Sequence, residues 1–137
     1  MIKKSLPLVI IILTATLVFY RFVPDLYFSQ DDFFHLKVSQ TDGSLEKFLD
    51  LFSFRRGVYF YRPIFREAIF NVYFTLFGLN AFPFRLTQIA VQVINIVLVF
   101  VFLKKLTKDR FISYLGTGFF GISAANVGVL SYLAGGI

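Results

Sequence analysis

The sequence predicts an all-α, multi-pass membrane protein whose first external loop carries juxtamembrane amphipathic helices. Three observations predict it. The chain is 57% hydrophobic, with a mean hydropathy of +0.72, whereas soluble domains are about 45–50% apolar. Apolar runs at 6–23, 84–103 and 111–130 are close to the ~20 residues a helix needs to cross a bilayer. Between the first two lies the only substantial polar stretch, at about 24–61, which is too aromatic for a disordered linker. The 137 residues include no cysteine, which excludes disulfides and thiolate metal sites. A net charge of +6 fits basic flanks meeting anionic head groups. No nucleic-acid partner is expected, because no basic run is interleaved with a soluble fold.

The run 6–23 follows the basic start Met1-Ile2-Lys3-Lys4. It exceeds the ~7–15 residues of a signal-peptide core, and Phe19, Tyr20 and Phe22 stand where small cleavage-site residues belong. It reads as an uncleaved first span with a cytoplasmic N-terminus. In the external loop, about 24–83, Ser29 with Asp32 three residues on predicts a capping-box start and a short helix over 30–40. Thr41-Asp42-Gly43-Ser44 is a turn, and a second short helix covers 45–52. Pro63 suits a first helical position and Gly78 a stop, so 63–78 reads as a helix. Arg62, Arg66, Glu67, Asn71 and Thr75 form a polar stripe on it, which assigns it to the outer interface.

The second span, 84–103, carries Arg85, Gln88, Gln92 and Asn95 on one face of its outer half. Polar residues in a span turn toward a bundle interior or a wet cavity. Lys104-Lys105-Leu106-Thr107-Lys108-Asp109-Arg110 follows and belongs inside with Lys3 and Lys4. The two basic clusters agree only if 63–78 does not cross. The third span, 111–130, is rich in small residues that permit close helix packing. The chain then stops at Ala134-Gly135-Gly136-Ile137 without a polar tail, which reads as a cut-off longer protein.

Asp31 and Asp32 are the sharpest chemical signal. One carboxylate of such a pair can act as a general base while the other binds a divalent metal or orients the first. His35, one turn on, could be a ligand or proton relay. The competing account is structural: the two aspartates stabilise a helix N-terminus. Arg62, Arg66 and Arg85 have the geometry to clamp a lipid phosphate, or simply touch head groups. Gln88, Gln92 and Asn95 read as helix-to-helix hydrogen bonds. No phosphate-binding glycine loop, nucleophile elbow or zinc spacing is present.

The order of these features resembles the N-terminal part of the GT-C superfamily of membrane glycosyltransferases. It is most similar to the protein O-mannosyltransferase and aminoarabinose-transferase branch, and to mannosyltransferases with tetratricopeptide tails. The match runs from Asp31-Asp32 through Tyr61-Arg62-Pro63 to Leu76-Phe77-Gly78-Leu79-Asn80-Ala81-Phe82-Pro83-Phe84-Arg85-Leu86. It continues in Phe120-Gly121-Ile122-Ser123-Ala124-Ala125-Asn126-Val127 and Tyr132-Leu133-Ala134-Gly135. One departure is Asp32, where the family often has the longer glutamate.

The resemblance implies sugar transfer from a polyprenyl-phosphate-linked donor to a protein, lipid or glycan acceptor at the outer face of a bacterial or archaeal plasma membrane. Asp31 would be the base and Asp32 an assistant or the ligand of a divalent Mg or Mn. Arg62, Arg66, Arg85 and His35 would attend the lipid phosphate. The donor pocket in such folds is completed by later spans, so this stretch alone is expected to be inactive. A non-enzymatic complex subunit and a transporter fragment share the same composition. A transporter should depend on Gln88, Gln92 and Asn95 more than on Asp31.

Overall fold

The computed structural model describes residues 6–53 and 63–133, and among these every regular element is helical. Helix α1 (Leu6–Phe19) ends in a short turn, and Val23–Asp25 forms a 3-10 helix with Pro24 in its first turn. The chain then bends by 72° into α2 (Gln30–Val38). Gly43, at φ +81, makes the turn to α3 (Leu45–Asp50), a conformation that glycine adopts without strain. Ser44 caps α3 by accepting from Lys47 N at 3.1 Å. Pro63–Ala68 is π-helical and runs directly into α4 (Ile69–Phe77), which stops at Gly78 with φ +58. The expected helix over 63–78 is therefore present, with a wider first turn.

Helix α5 (Ala81–Thr107) is 27 residues long and starts where Asn80 accepts from Phe82 N. It extends the expected span by a turn at its C-terminal end. Lys108, at φ 55, reverses the chain, and Asp109 caps α6 (Arg110–Gly121) by accepting from Ile112 N at 3.1 Å. After a bend of 44°, α7 (Ala124–Ser131) follows. The expected continuous span over 111–130 is thus broken at Ile122-Ser123. Polar groups sustain the break: Asn126 Nδ2 donates to Phe120 O at 2.6 Å, Tyr20 Oη donates to Ser123 O at 3.1 Å, and Ser123 Oγ accepts from Ala125 N. Carbonyls freed at a helix end need such partners.

By length and composition α5 can cross a membrane. The pairs Ile10–Asp25 with Gln30–Val38 and Arg110–Gly121 with Ala124–Ser131 qualify only if each counts as one bent span. Polarity in the bundle is inverted relative to a soluble protein. Arg85, Gln88, Gln92, Thr16, Ser113 and Thr117 are buried. Ile94, Leu98 and Phe102 on α5, and Phe111, Leu115 and Phe119 on α6, recur every four residues and are all exposed. An outward apolar stripe with polar residues inside suits a hydrocarbon surround. Close packing comes from glycine: a Cβ on Gly121 of α6 would stand 2.6 Å from Thr16 Oγ1 of α1.

The aromatic core lies at the N-terminal end of α5. Phe28, Leu36, Phe70, Ala81, Phe84 and Leu133 form it, with Phe28–Phe84 ring centroids 5.2 Å apart. Of the polar stripe, Glu67 and Asn71 turn inward while Thr75 is exposed. Asn71 Nδ2 donates to Ser39 O at 2.7 Å, and Glu67 is buried, while Val72 and Leu76 are exposed.

Candidate functional site

The site is assembled where α2, α5 and the end of α7 meet. The expected capping box positions α2. Ser29 N and Ser29 Oγ both donate to Asp32 Oδ2, at 2.8 and 2.9 Å. That carboxylate is wholly enclosed, and Arg85 Nη2 stands 4.0 Å from the same oxygen.

Arg85 is the hub. Its Nε donates to Leu26 O at 3.2 Å and its Nη2 to Tyr27 O at 2.6 Å. Its Nη1 donates to Gln88 Oε1 at 3.0 Å and to Leu130 O at 3.2 Å. A guanidinium has five donors in a fixed fork, and here four point at internal acceptors while Asp32 lies beside Nη2. The Arg85 side chain has no exposed surface, and its donors are engaged in tying three chain segments together.

Asp31 and Asp32 are divided by the helix surface. Asp32 faces inward, whereas Asp31 is exposed. Tyr132 Oη, just past α7, donates to Asp31 Oδ2. Asp31 Oδ1 takes no partner among the described residues. Burial and the neighbouring Asp31 push the Tyr132 phenol up to about 12, so it stays a hydrogen-bond donor at neutral pH.

His35, on the next turn, lies between the rings of Phe34 and Phe70, with centroids 5.4 and 6.1 Å away. It packs against α4. Arg62 and the Arg66 side chain lie outside the described residues.

A divalent metal at Asp32 does not fit this environment. The carboxylate already accepts from Ser29 and has a guanidinium 4.0 Å away. No group of three His, Asp or Glu side chains with metal-ligand proximity occurs among the described residues. A Mg or Mn ion at Asp32 would stand close to the Arg85 guanidinium, which disfavours a second cation there.

Gln88 forms the expected helix-to-helix bonds, donating to Val129 O and Tyr132 O, both at 3.2 Å. Gln92 is buried on the next turn of α5, and Asn95 is half-buried. A surface groove of about 380 Å³ between α3 and α4, lined by Ser44, Phe48, Asn71 and Leu76 among others, contains none of the expected site residues. Tyr132 is the participant that sequence reasoning missed. It stands as a lone tyrosine after an apolar run, and no local pattern ties it to a residue 101 positions earlier.

No protein-family model, curated protein or solved structure matches the chain.

Proposed function

We propose that the chain is part of an integral-membrane glycosyltransferase of the GT-C type, in which Asp31 is the general base. The observation that carries this reading is the division of the aspartate pair. Asp32 is consumed by Ser29 and Arg85, while Asp31 is exposed with one oxygen open. A carboxylate held beside the end of a spanning helix suits proton abstraction from an acceptor at a membrane surface.

In this reading residues 6–25 (α1 with the turn and 3-10 helix that follow it), α5 and the bent α6–α7 pair are three crossings, with the N-terminus in the cytoplasm of a bacterium or archaeon. From Arg85 to Lys104 the helix rises roughly 28 Å at about 1.5 Å per residue, close to the hydrocarbon thickness. Lys104, Lys105, Lys108 and Arg110 then mark the cytoplasmic side and Asp31 the outer side. That α7 ends back beside α2 and the start of α5 supports the same arrangement. Pro63–Ala68 and Ile69–Phe77 together rise about 22 Å, too short to cross.

In the proposed reaction, an Asp31 oxygen takes the proton from an acceptor hydroxyl. The acceptor oxygen bonds to the anomeric carbon of the sugar as the bond from that carbon to the lipid phosphate breaks. Polyprenyl phosphate leaves with the electron pair. Arg62 and Arg66 are the arginines assigned to the phosphate, since Arg85 is engaged internally. The acceptor is a hydroxyl on a protein, lipid or glycan.

The test is release of polyprenyl phosphate from polyprenyl-phosphate-linked hexoses by membranes carrying the whole protein. Asp31→Asn is expected to abolish release while the protein remains membrane-inserted at normal level. Undiminished release by Asp31→Asn overturns the base assignment.

A further inference from the structure

We infer that Tyr132 is the positioning residue of this site: its hydroxyl holds one oxygen of the Asp31 carboxylate so that the other is presented to the acceptor. The inference rests on Asp31 acting as the base. It goes further by assigning a role to the segment after α7.

The contact joins two immobilised segments. On the Tyr132 side, Leu130 O accepts from Arg85 Nη1 and Tyr132 O accepts from Gln88 Nε2, each at 3.2 Å. Leu133 is fully buried in the aromatic core. Three anchors within four residues therefore fix where the phenol points. On the Asp31 side, Arg85 holds Leu26 O and Tyr27 O, and Asp32 closes the start of α2 onto Ser29. One arginine thus clamps both segments that carry the pair.

A general base works best when its accepting oxygen has a fixed direction. A lone exposed aspartate rotates about χ1 and χ2 and does not supply one. The phenol takes Oδ2 and leaves Oδ1 as the remaining acceptor. Tyr132 is not itself the base, because a phenol titrating at about 12 keeps its proton at neutral pH. In the transfer step the proton moves from the acceptor hydroxyl to Asp31, and Tyr132 retains its own.

Two measurements on the whole membrane-embedded protein test this. The first compares donor kinetics of wild type, Tyr132→Phe and Asp31→Asn, using a polyprenyl-phosphate-linked hexose. Tyr132→Phe keeps the ring and its packing, so it should lower kcat by up to about 100-fold with KM for the donor unchanged. Unchanged kcat in Tyr132→Phe beside an inactive Asp31→Asn overturns the positioning role and leaves the base assignment standing. Full activity in Asp31→Asn removes the base assignment and this inference with it. The second measurement needs no turnover. With ring-labelled tyrosine, one resonance should titrate near 12, move toward 10.0 in Asp31→Asn and disappear in Tyr132→Phe. If no tyrosine behaves so, the contact does not exist in the membrane and the proposal falls.

Discussion

Arg85 Nη2 stands 4.0 Å from Asp32 Oδ2, and neither side chain has any exposed surface. The two residues are 53 positions apart, and the arginine also reaches backbone carbonyls on both sides of the bundle. A buried charge is tolerated when an opposite charge and hydrogen bonds surround it. Here those requirements also determine the architecture. The start of α2, the first turns of α5 and the end of α7 are held at one point.

Removing the arginine should therefore be costly. Arg85→Met leaves the Asp32 charge enclosed without a counter-charge and strips the donors from Leu26 O, Tyr27 O and Leu130 O. A loss of about 3–5 kcal/mol is expected, read by chemical unfolding in detergent. Arg85→Lys should recover only part of it, because an ammonium cannot reproduce the planar fork. Wild-type stability in Arg85→Met would remove the hub from the account.

Two glycines on α6 should respond in opposite directions. A Cβ at Gly121 meets Thr16 Oγ1 at 2.6 Å and Ile96 Cδ1 at 3.7 Å. Thr16 Oγ1 is itself bonded to Ile12 O at 2.9 Å, so it does not yield freely. Gly121→Ala should destabilise by about 1–3 kcal/mol through forced separation of α1 and α6. Gly118 has nothing within 4 Å of a new Cβ, and Gly118→Ala should instead stabilise by about 1 kcal/mol. Equal effects at both positions would contradict the packing described.

Orientation is open to direct measurement because the chain has no cysteine of its own. Ser44→Cys should react with a membrane-impermeant maleimide added to intact cells. Lys108→Cys should react only after permeabilisation. Labelling of Lys108→Cys from outside would mean that the helix ending at Phe77 crosses, which would carry the start of α5 and Arg85 to the inner face, away from Asp31 and Asp32, and contradict the site geometry.

The turn before α3 should be acid-sensitive. Lys47 Nζ lies 2.5 Å from Asp42 Oδ2, and Ser44 N donates to the same carboxylate at 3.2 Å. The Lys47 contact, then the Ser44 bond, holds the Asp42 carboxyl below its usual 3.8. A depressed folded value means that this contribution is present above 3.8 and lost as pH falls through the lower folded value. Carboxyl titration by NMR should find Asp42 below 3.8 in wild type and nearer 3.8 in Lys47→Met. An unchanged value would show that the pair does not persist in solution.

What could be read from the sequence was local. Ser29 and Asp32 lie three residues apart, so their capping bonds follow from spacing alone, as do the turn at Gly43 and the stop at Gly78. The polar stripe through Glu67, Asn71 and Thr75 was equally visible. Its direction was not, because the acceptor of Asn71 is Ser39 O, 32 residues away. The role of Arg85 was hidden for the same reason: backbone carbonyls carry no sequence signature, and two of its partners are 45 and 59 residues distant. The break between α6 and α7 escaped because residues 111–130 read as one long run, mostly apolar and rich in small residues. Ser123 and Asn126 were the available sign, and each can equally sit within a span.

The central claim is that two adjacent aspartates do different work, Asp32 holding the fold and Asp31 remaining available for chemistry. The most direct test is the unfolding free energy of Asp31→Asn and Asp32→Asn measured side by side in the same detergent. Asp32→Asn should lose about 3 kcal/mol, since Arg85 is left charged and buried. Asp31→Asn should stay within about 0.5 kcal/mol of wild type, as an exposed substitution does. Equal losses, or a larger loss from Asp31→Asn, would contradict the division of roles.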